Sequence, residues 1–272
     1  MRSPAIMMPF VAKRVFNHEP VEITHAWGLR DLQTGMAYTL CSTLECKDCG
    51  VLFMDYRFSD HEMSLLYKDY RGVEYNALRA RFEPTYSATA LHYEGRAAYL
   101  EDVERILAPY LSARPRVLDW GGDSGVNSPF RFSASLLQVH DISGVETCAE
   151  ATPVTLEGCL QQHYDLVNCS QVLEHVPHPA KLLQQIADTL RKETILYLEV
   201  PLEDIFRSGV SDSPRFAMKR HWHEHINFFS PLSLQSLART CGLEVLAEHT
   251  LPVALGWKNA EVQMLICKKH ED

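Results

Sequence analysis

Four short apolar runs do most to limit what this chain can fold into. Val117-Leu118, Leu136 to Val139, Leu166-Val167 with its flanks, and Ile195 to Val200 look like parallel strands. A weaker run, Thr152 to Leu156, supplies another. Between the last two clear strands lies PAKLLQQIADTLR, with Pro179 suited to a first helical turn and Leu182, Leu183, Ile186 and Leu190 as its buried stripe. A second helix is bounded by Ser230 as N-cap, Pro231 at its first position and Gly242 just past its end. Strands alternating with helices imply a doubly wound α/β sheet. Leu243 to Glu248 and Glu261 to Lys268 read as two closing strands. They lie too close for a helical crossover and so form an antiparallel pair. Gly125 to Leu136 and Asp141 to Asp165 leave little room for full helices, so that half of the sheet has shortened ones.

Before these strands the pattern differs. The first 50 or so residues carry short β-like runs and three cysteines, Cys41, Cys46 and Cys49. Asp60 to Tyr110 reads as helical, with Tyr99, Leu100, Val103, Ile106, Leu107 and Tyr110 at helical spacing, and Arg114-Pro115 ends it. The division is therefore a small β-rich module at 1–60, a helical linker at 61–112 and an α/β domain at 113–272. With 272 residues, 46% of them hydrophobic, there is enough material for one large core and a smaller module.

Twenty-six basic against 35 acidic residues argues against a nucleic-acid partner. No apolar run approaches the roughly 18 residues of a membrane span. Ala5 to Ala12 follows Arg2 like a signal-peptide core, but Pro9 interrupts it and Lys13-Arg14 follow at once. Eight unevenly spaced cysteines in a chain of this size read as reduced thiols in a cytoplasm.

The first clear strand runs into RVLDWGGDSG, which places Asp119 and a bare backbone at the carboxyl edge of the sheet, where open α/β folds bind ligands. Gly121, Gly122 and Gly125 allow a tight turn and close approach of a ligand. Asp119 and Asp123 crowd that turn with negative charge, which disfavours phosphate and favours an ammonium or sulfonium group. Asp141, 22 residues after Asp119, ends the next strand, where an acid can accept hydrogen bonds from both ribose hydroxyls. The ligand implied is a nucleoside with positive charge and no phosphate.

VLDWGGDSG, HDISG, YDLVNCSQVLEHV and ILYLEVP, in that order, resemble the motifs of class I S-adenosylmethionine-dependent methyltransferases, over roughly residues 85 to 272. The resemblance implies a Rossmann-like sheet with an antiparallel final strand. It implies that Asp119, Gly121 and Gly125 surround the aminocarboxylate end of S-adenosylmethionine, with Gly122 and Asp123 in the same loop. It further implies that Asp141 binds the ribose and that Cys169 and Ser170 run beside the methionine part. Glu157 falls on the adenine side by position only. Asp123 departs from the family pattern by standing where the middle glycine is usual.

HWHEHINFFS, His221 to Ser230, is the densest cluster of polar functional groups. In an extended segment His221, His223 and His225 share one face and Glu224 the other. Such a segment serves as a metal site, as a surface or capping segment, or as catalytic machinery. It resembles the segment after the fifth strand in sugar C-methyltransferases, where an acid and a histidine handle the substrate proton. Carried over, this makes His225 the general base and Glu224 its partner or a substrate anchor. His175 is a second catalytic candidate, with helix capping or packing as its alternative. The acceptor implied is a sugar, nucleotide-activated or part of a polysaccharide. A non-sugar O-methyltransferase and a non-catalytic binding relative are the rivals. Arg207, Arg215, Lys219 and Arg220 would offset the phosphates of a sugar nucleotide.

The cysteines contain one C-x-x-C-G knuckle, whereas a zinc ribbon wants four ligands. They resemble the second knuckle of the zinc-binding N-terminal module of some sugar methyltransferases. Cys41 with His18, His25 or His61 would complete a site with Cys46 and Cys49; a metal-free remnant stands as the alternative. A homodimer is left open.

Overall fold

The computed structural model describes residues 1–28, 30–31, 33–85, 95–207, 213–254 and 259–270. Parts of the helical reading of the linker (86–94) and of the insertion after the fifth strand (208–212) lie outside the described residues.

The elements run in chain order as follows. The N-terminal part contains β1 (Arg2–Met7), α1 (Pro9–Phe16), β2 (Val21–Ile23), β3 (Gly35–Ala37), β4 (Leu40–Glu45) and β5 (Leu52–Met54). Helices α2 (Asp60–Tyr67), α3 (Val73–Phe82) and α4 (Leu100–Leu107) follow. The α/β part holds β6 (Arg116–Trp120), β7 (Leu136–His140), β8 (Thr152–Pro153), α5 (Leu156–Gln161), β9 (Leu166–Ser170), α6 (Pro179–Thr189) and β10 (Ile195–Pro201). It closes with α7 (Asp204–Arg207), α8 (Arg215–Met218), β11 (His221–Trp222), β12 (Asn227–Phe228), α9 (Pro231–Thr240), β13 (Leu243–Ala254) and β14 (Asn259–Lys269).

Seven strands form the main sheet in the order β13-β14-β10-β9-β6-β7-β8. Strands β8, β7, β6, β9 and β10 are mutually parallel, and β14 lies antiparallel between β10 and β13. This is the doubly wound sheet with an antiparallel final strand that the sequence implies. Side chains alternate between two cores. Leu196, Leu198 and Val200 of β10 face one, and Ile195 and Tyr197 face the other. Both faces are buried, so the run is apolar throughout instead of alternating. No helix lies between β6 and β7, and only the six-residue α5 lies between β8 and β9, as the short spacings require. α9 begins where the sequence places it, with Ser230 and Ser233 forming a reciprocal cap.

The second sheet was not foreseen in full. Its order is β11-β1-β4-β5-β12, so two of its five strands come from residues 221–228, far along the chain. β11 runs parallel to β1, and β12 antiparallel to β5. Trp222, Ile226 and Phe228 are buried in one core with Phe10, Leu52, Met54, Leu66 and Tyr75. Trp222 Nε1 donates to Thr43 Oγ1 at 2.8 Å, fixing the indole in that core. The histidine-rich segment is thus held by the N-terminal sheet through β11 and β12, and it rejoins the core of the main sheet at Phe229, whose carbonyl accepts from Gln263 Nε2 of β14 at 2.7 Å.

Candidate functional site

The glycine turn sits at the carboxyl end of β6, next to the topological switch of the sheet. A Cβ on Gly121 would stand 2.5 Å from Val172 Cγ2, and one on Gly122 would stand 2.3 Å from Asp119 Oδ2. The loop is packed too closely there for any side chain. Asp119 is the reason for part of that crowding. It faces Asn168 in register across β9, accepts from Asn168 Nδ2 at 2.5 Å and from the Ser128 hydroxyl, and is buried. Burial pushes its carboxyl up to about 6, against the two hydrogen bonds. Asp119 therefore braces the loop from beneath.

Asp123 and Asp141 are joined directly. Asp123 adopts a left-handed backbone, φ 54°, the conformation for which glycine is usual and which aspartate tolerates better than most residues. Its N–H donates to Asp141 Oδ2 at 2.9 Å, while Asp141 Oδ1 accepts from Ser143 N at 2.7 Å. Asp123 Oδ1 is buried without a hydrogen-bond partner, and burial raises its carboxyl. Cys169 lies buried in β9, and Ser170 Oγ donates to Asn168 Oδ1 at 2.7 Å. Glu157 stands on the exposed first turn of α5, 3.5 Å from Gln161 Nε2.

A second cluster forms beyond β9. The carbonyl of Glu174 accepts from both Ile226 N and Asn227 N, at 2.8 and 3.0 Å. Asn227 Nδ2 donates to the carbonyls of Leu173 and Val176, at 3.0 and 2.8 Å, and Arg57 holds Asn227 Oδ1 at 2.8 Å. These bonds clamp the Leu173–Val176 turn to the His221–Phe228 segment. They bring His175 and His225 together, with ring centroids 4.6 Å apart, edge to face. His225 Nδ1 lies 3.0 Å from Glu203 Oε1. His175 Nδ1 lies 2.8 Å from the Tyr67 hydroxyl and 3.3 Å from the Glu224 carbonyl. Glu174 is 2% exposed, and neither carboxylate oxygen has a hydrogen-bond partner. Burial pushes Glu174 up to about 7 and His175 down to about 3. Burial works to lower His225 as well, but Glu203 and the charge of Glu174 raise it.

Glu203, Tyr67 and Asn227 are not singled out from sequence, and Glu174 stands there only as part of the LEHV motif, with no role of its own. For Glu203 a signal existed: an acid just past the carboxyl end of a central strand stands at the ligand edge.

Two expectations need correction. Glu224 is not beside the His225 imidazole. Its carboxylate accepts from Arg79 Nη1 at 2.8 Å and from the Tyr75 hydroxyl, and it lies 3.4 Å from His223 Nδ1. His223 in turn contacts Glu83 and stacks on Phe10. Burial would raise Glu224, but His223 and Arg79 hold it well below the usual carboxylate range. The alternation of His221, His223 and His225 also ends with β11, because the chain turns to pair with Glu174, so the three rings do not share a face.

Cys46 and Cys49 stand in the turn between β4 and β5, which Gly50 N closes by donating to the Cys46 carbonyl at 3.1 Å. Cys41 lies on β4 against the N-terminal core, and burial pushes its thiol up to about 12. Among the described residues the three cysteines do not converge, nor do His18, His25 or His61 join them; the group of metal-capable side chains that does converge is Glu174, His175 and His225. Among the described residues, no helix is long and apolar enough to cross a membrane.

The family model for a methyltransferase domain matches residues 90–248, more than half of the chain. A ubiquinone biosynthesis O-methyltransferase of Nitrosomonas europaea is 32% identical over 95 residues, covering 30% of this chain and 37% of that protein. Its counterpart in Bordetella parapertussis is 28% identical over 118 residues, 41% of this chain and 49% of that one. The chain thus spans less than half the length of these curated relatives. The solved structure of Burkholderia thailandensis 1,6-didemethyltoxoflavin-N1-methyltransferase superposes over 93% of this chain and 100% of its own, with a TM-score of 0.50 and 15% identity. That likeness is one of fold. With the family model matching from the linker through the glycine turn to β13, the chain belongs to the methyltransferase-domain family.

Proposed function

We propose that this chain transfers a methyl group from S-adenosylmethionine to an oxygen or acidified carbon of a small-molecule acceptor. The observation that carries this reading is the meeting of His175 and His225 with the unpartnered Glu174 carboxylate, at the same sheet edge as the Gly121–Gly125 turn. The cofactor fits the turn: the Asp123 oxygen without a partner and the carboxylate of Asp141 suit a cation and a ribose, and the cradle has no room for side chains at Gly121 and Gly122. S-adenosylmethionine supplies a methyl group made electrophilic by its sulfonium. Asp141 keeps acceptor capacity beyond its two backbone bonds, for the ribose hydroxyls. Asp119 and Ser170 shape the loop through Ser128 and Asn168.

His225 is the general base. Glu203 orients its Nδ1, which leaves Nε2 to take the acceptor proton, a contribution of about 10²–10⁴-fold. His175, kept neutral by burial, packs against it and positions the ring. Most of the remaining acceleration comes from alignment of acceptor and methyl group in a closed site. The module at 1–60 and the linker at 61–112 cover the acceptor side, with Tyr67 reaching His175 from α2.

The acceptor in this reading is a sugar. A nucleotide-activated sugar is less well supported than the sequence implies. Arg207 is paired with Asp204 and Glu261, Arg215 lies over Phe206, and the Lys219 amine lies 4.1 Å from the Phe228 centroid. The relatives named for ubiquinone biosynthesis favour a second reading, a non-sugar hydroxyl. Eight free cysteines accord with work in a cytoplasm. Labelled S-adenosylmethionine offered with sugars, nucleotide sugars and phenolic hydroxyl acceptors tests this. Transfer to a sugar is the expected result; transfer to the phenols alone selects the second reading. No transfer to any of them by a protein whose melting temperature rises with the cofactor would overturn the enzymatic assignment.

A further inference from the structure

We propose that Glu174, His175 and His225 form a binding site for a divalent transition-metal cation, with Zn²⁺ as its simplest occupant. One ligand atom from each lies within 4.8 Å of the others. Three ligands around such an ion at about 2.0–2.2 Å stand about 3.3–3.6 Å apart, so small side-chain rotations close the set. Two imidazoles and one carboxylate make a donor set that selects zinc, iron or manganese over calcium or magnesium.

Two independent features point to an ion. The first is the Glu174 carboxylate, 2% exposed with both oxygens unpartnered, and with Oε1 3.8 Å from His175 Nε2. A buried carboxylate without a hydrogen bond is costly, and a cation ligated by it removes that cost. The second is the surroundings of the two histidines. Metal-ligating imidazoles are almost always held through their other ring nitrogen by a carboxylate, a carbonyl or a similar group. His225 Nδ1 meets Glu203 at 3.0 Å, and His175 Nδ1 meets the Tyr67 hydroxyl and the Glu224 carbonyl. Both rings are left with Nε2 as the free donor. Three protein ligands leave a coordination position open for an oxygen of the acceptor or for water.

The site is the metal-loaded state of side chains that the proposed function uses metal-free; it rests on that reading only for its purpose, and its occupancy is measurable without turnover. A cation there would take up the His225 lone pair that the metal-free route uses as base, so the two routes respond oppositely to chelation. Protein purified without a histidine tag, stripped with a chelator and dialysed against Zn²⁺ or Co²⁺ is analysed for bound metal. About one equivalent per chain is expected, kept in a Cys46→Ser/Cys49→Ser double variant and reduced at least tenfold in Glu174→Gln and His175→Ala. Glu203→Gln weakens affinity by about 10–100-fold. The Co²⁺ spectrum of the unaltered protein shows ligand-field bands without thiolate charge transfer, which guards against variants that merely misfold. Metal that follows the cysteines, or less than about a tenth of an equivalent in the unaltered protein, overturns the site. Undiminished methyl transfer by the stripped protein overturns the ion's part in turnover and leaves the methyltransferase reading standing.

Discussion

His225 Nδ1 lies 3.0 Å from Glu203 Oε1, a pairing between the segment before α9 and the loop just past β10. It makes Glu203, and not the adjacent Glu224, the acid that orients this imidazole. His225→Ala is expected to lower turnover at least tenfold and to leave cofactor affinity nearly intact, since a positioned base contributes about 10²–10⁴-fold. Glu203→Gln is expected to lower kcat by less and to leave the KM for cofactor unchanged. Steady-state kinetics with cofactor titration checks both, and wild-type turnover in His225→Ala would sink the assignment.

Glu224 carries the opposite expectation. It lies among Arg79, His223 and Tyr75, so Glu224→Gln leaves buried positive charge uncompensated. Breaking such a group costs about 3–5 kcal/mol. Chemical denaturation should show that loss, while kcat per folded molecule stays within a few-fold. A large drop in kcat at unchanged stability would return Glu224 to the catalytic machinery.

Asp141→Ala removes the acceptor for Asp123 N and Ser143 N at once. Each lost bond from these part-buried donors costs about 0.5–1.5 kcal/mol, and in the proposed reading the ribose loses its acid. A cofactor dissociation constant raised at least tenfold in calorimetry is expected, with acceptor affinity little changed. Asp123→Gly, by contrast, should raise the melting temperature, because it relieves a left-handed residue and removes a buried oxygen without a partner.

Lys219 gives a pH test on a group outside the histidine cluster, with Glu203 among the charges that act on it. Burial lowers its amine from the ordinary 10.5 to about 8, with the ring faces of Trp222 and Phe228 beside it. Between these values the unfolded chain holds the proton more tightly than the folded one, so stability rises as pH increases from about 8 to about 10.5. Denaturation midpoints across that range should show the rise, and Lys219→Met should remove its share. A flat difference between the two proteins would contradict the burial argument.

Much of the main sheet was legible because each strand announces itself locally: β6, β9 and β10 are apolar runs, and α9 has its cap written out in Ser230-Pro231. Asp141 is legible for the same reason, standing at the end of β7, and Asp123 through the glycine turn it interrupts. The partner of His225 was not, because Glu203 and His225 meet only after the chain has crossed α7, α8 and β11. Nor was the shared N-terminal sheet, since two-residue strands such as β11 and β12 leave no periodicity to read. The pairing of Glu224 with His225 came from the resemblance alone; alternation puts the two on opposite faces, and it cannot tell which distant cation, here Arg79, waits on one of them.

The insertion of β11 and β12 into the N-terminal sheet also governs how the chain can be divided. Removing the first 60 residues would strip β11 and β12 of their β1 and β5 partners and leave Trp222 and Phe228 uncovered. His175 would stay on the main sheet with the glycine turn, whereas His225, between β11 and β12, would lose its anchor. In the proposed reaction the glycine turn, His175 and Glu203 hang from the main sheet while His225 hangs between two strands of the N-terminal one, so their alignment is set by how firmly those sheets are sewn together.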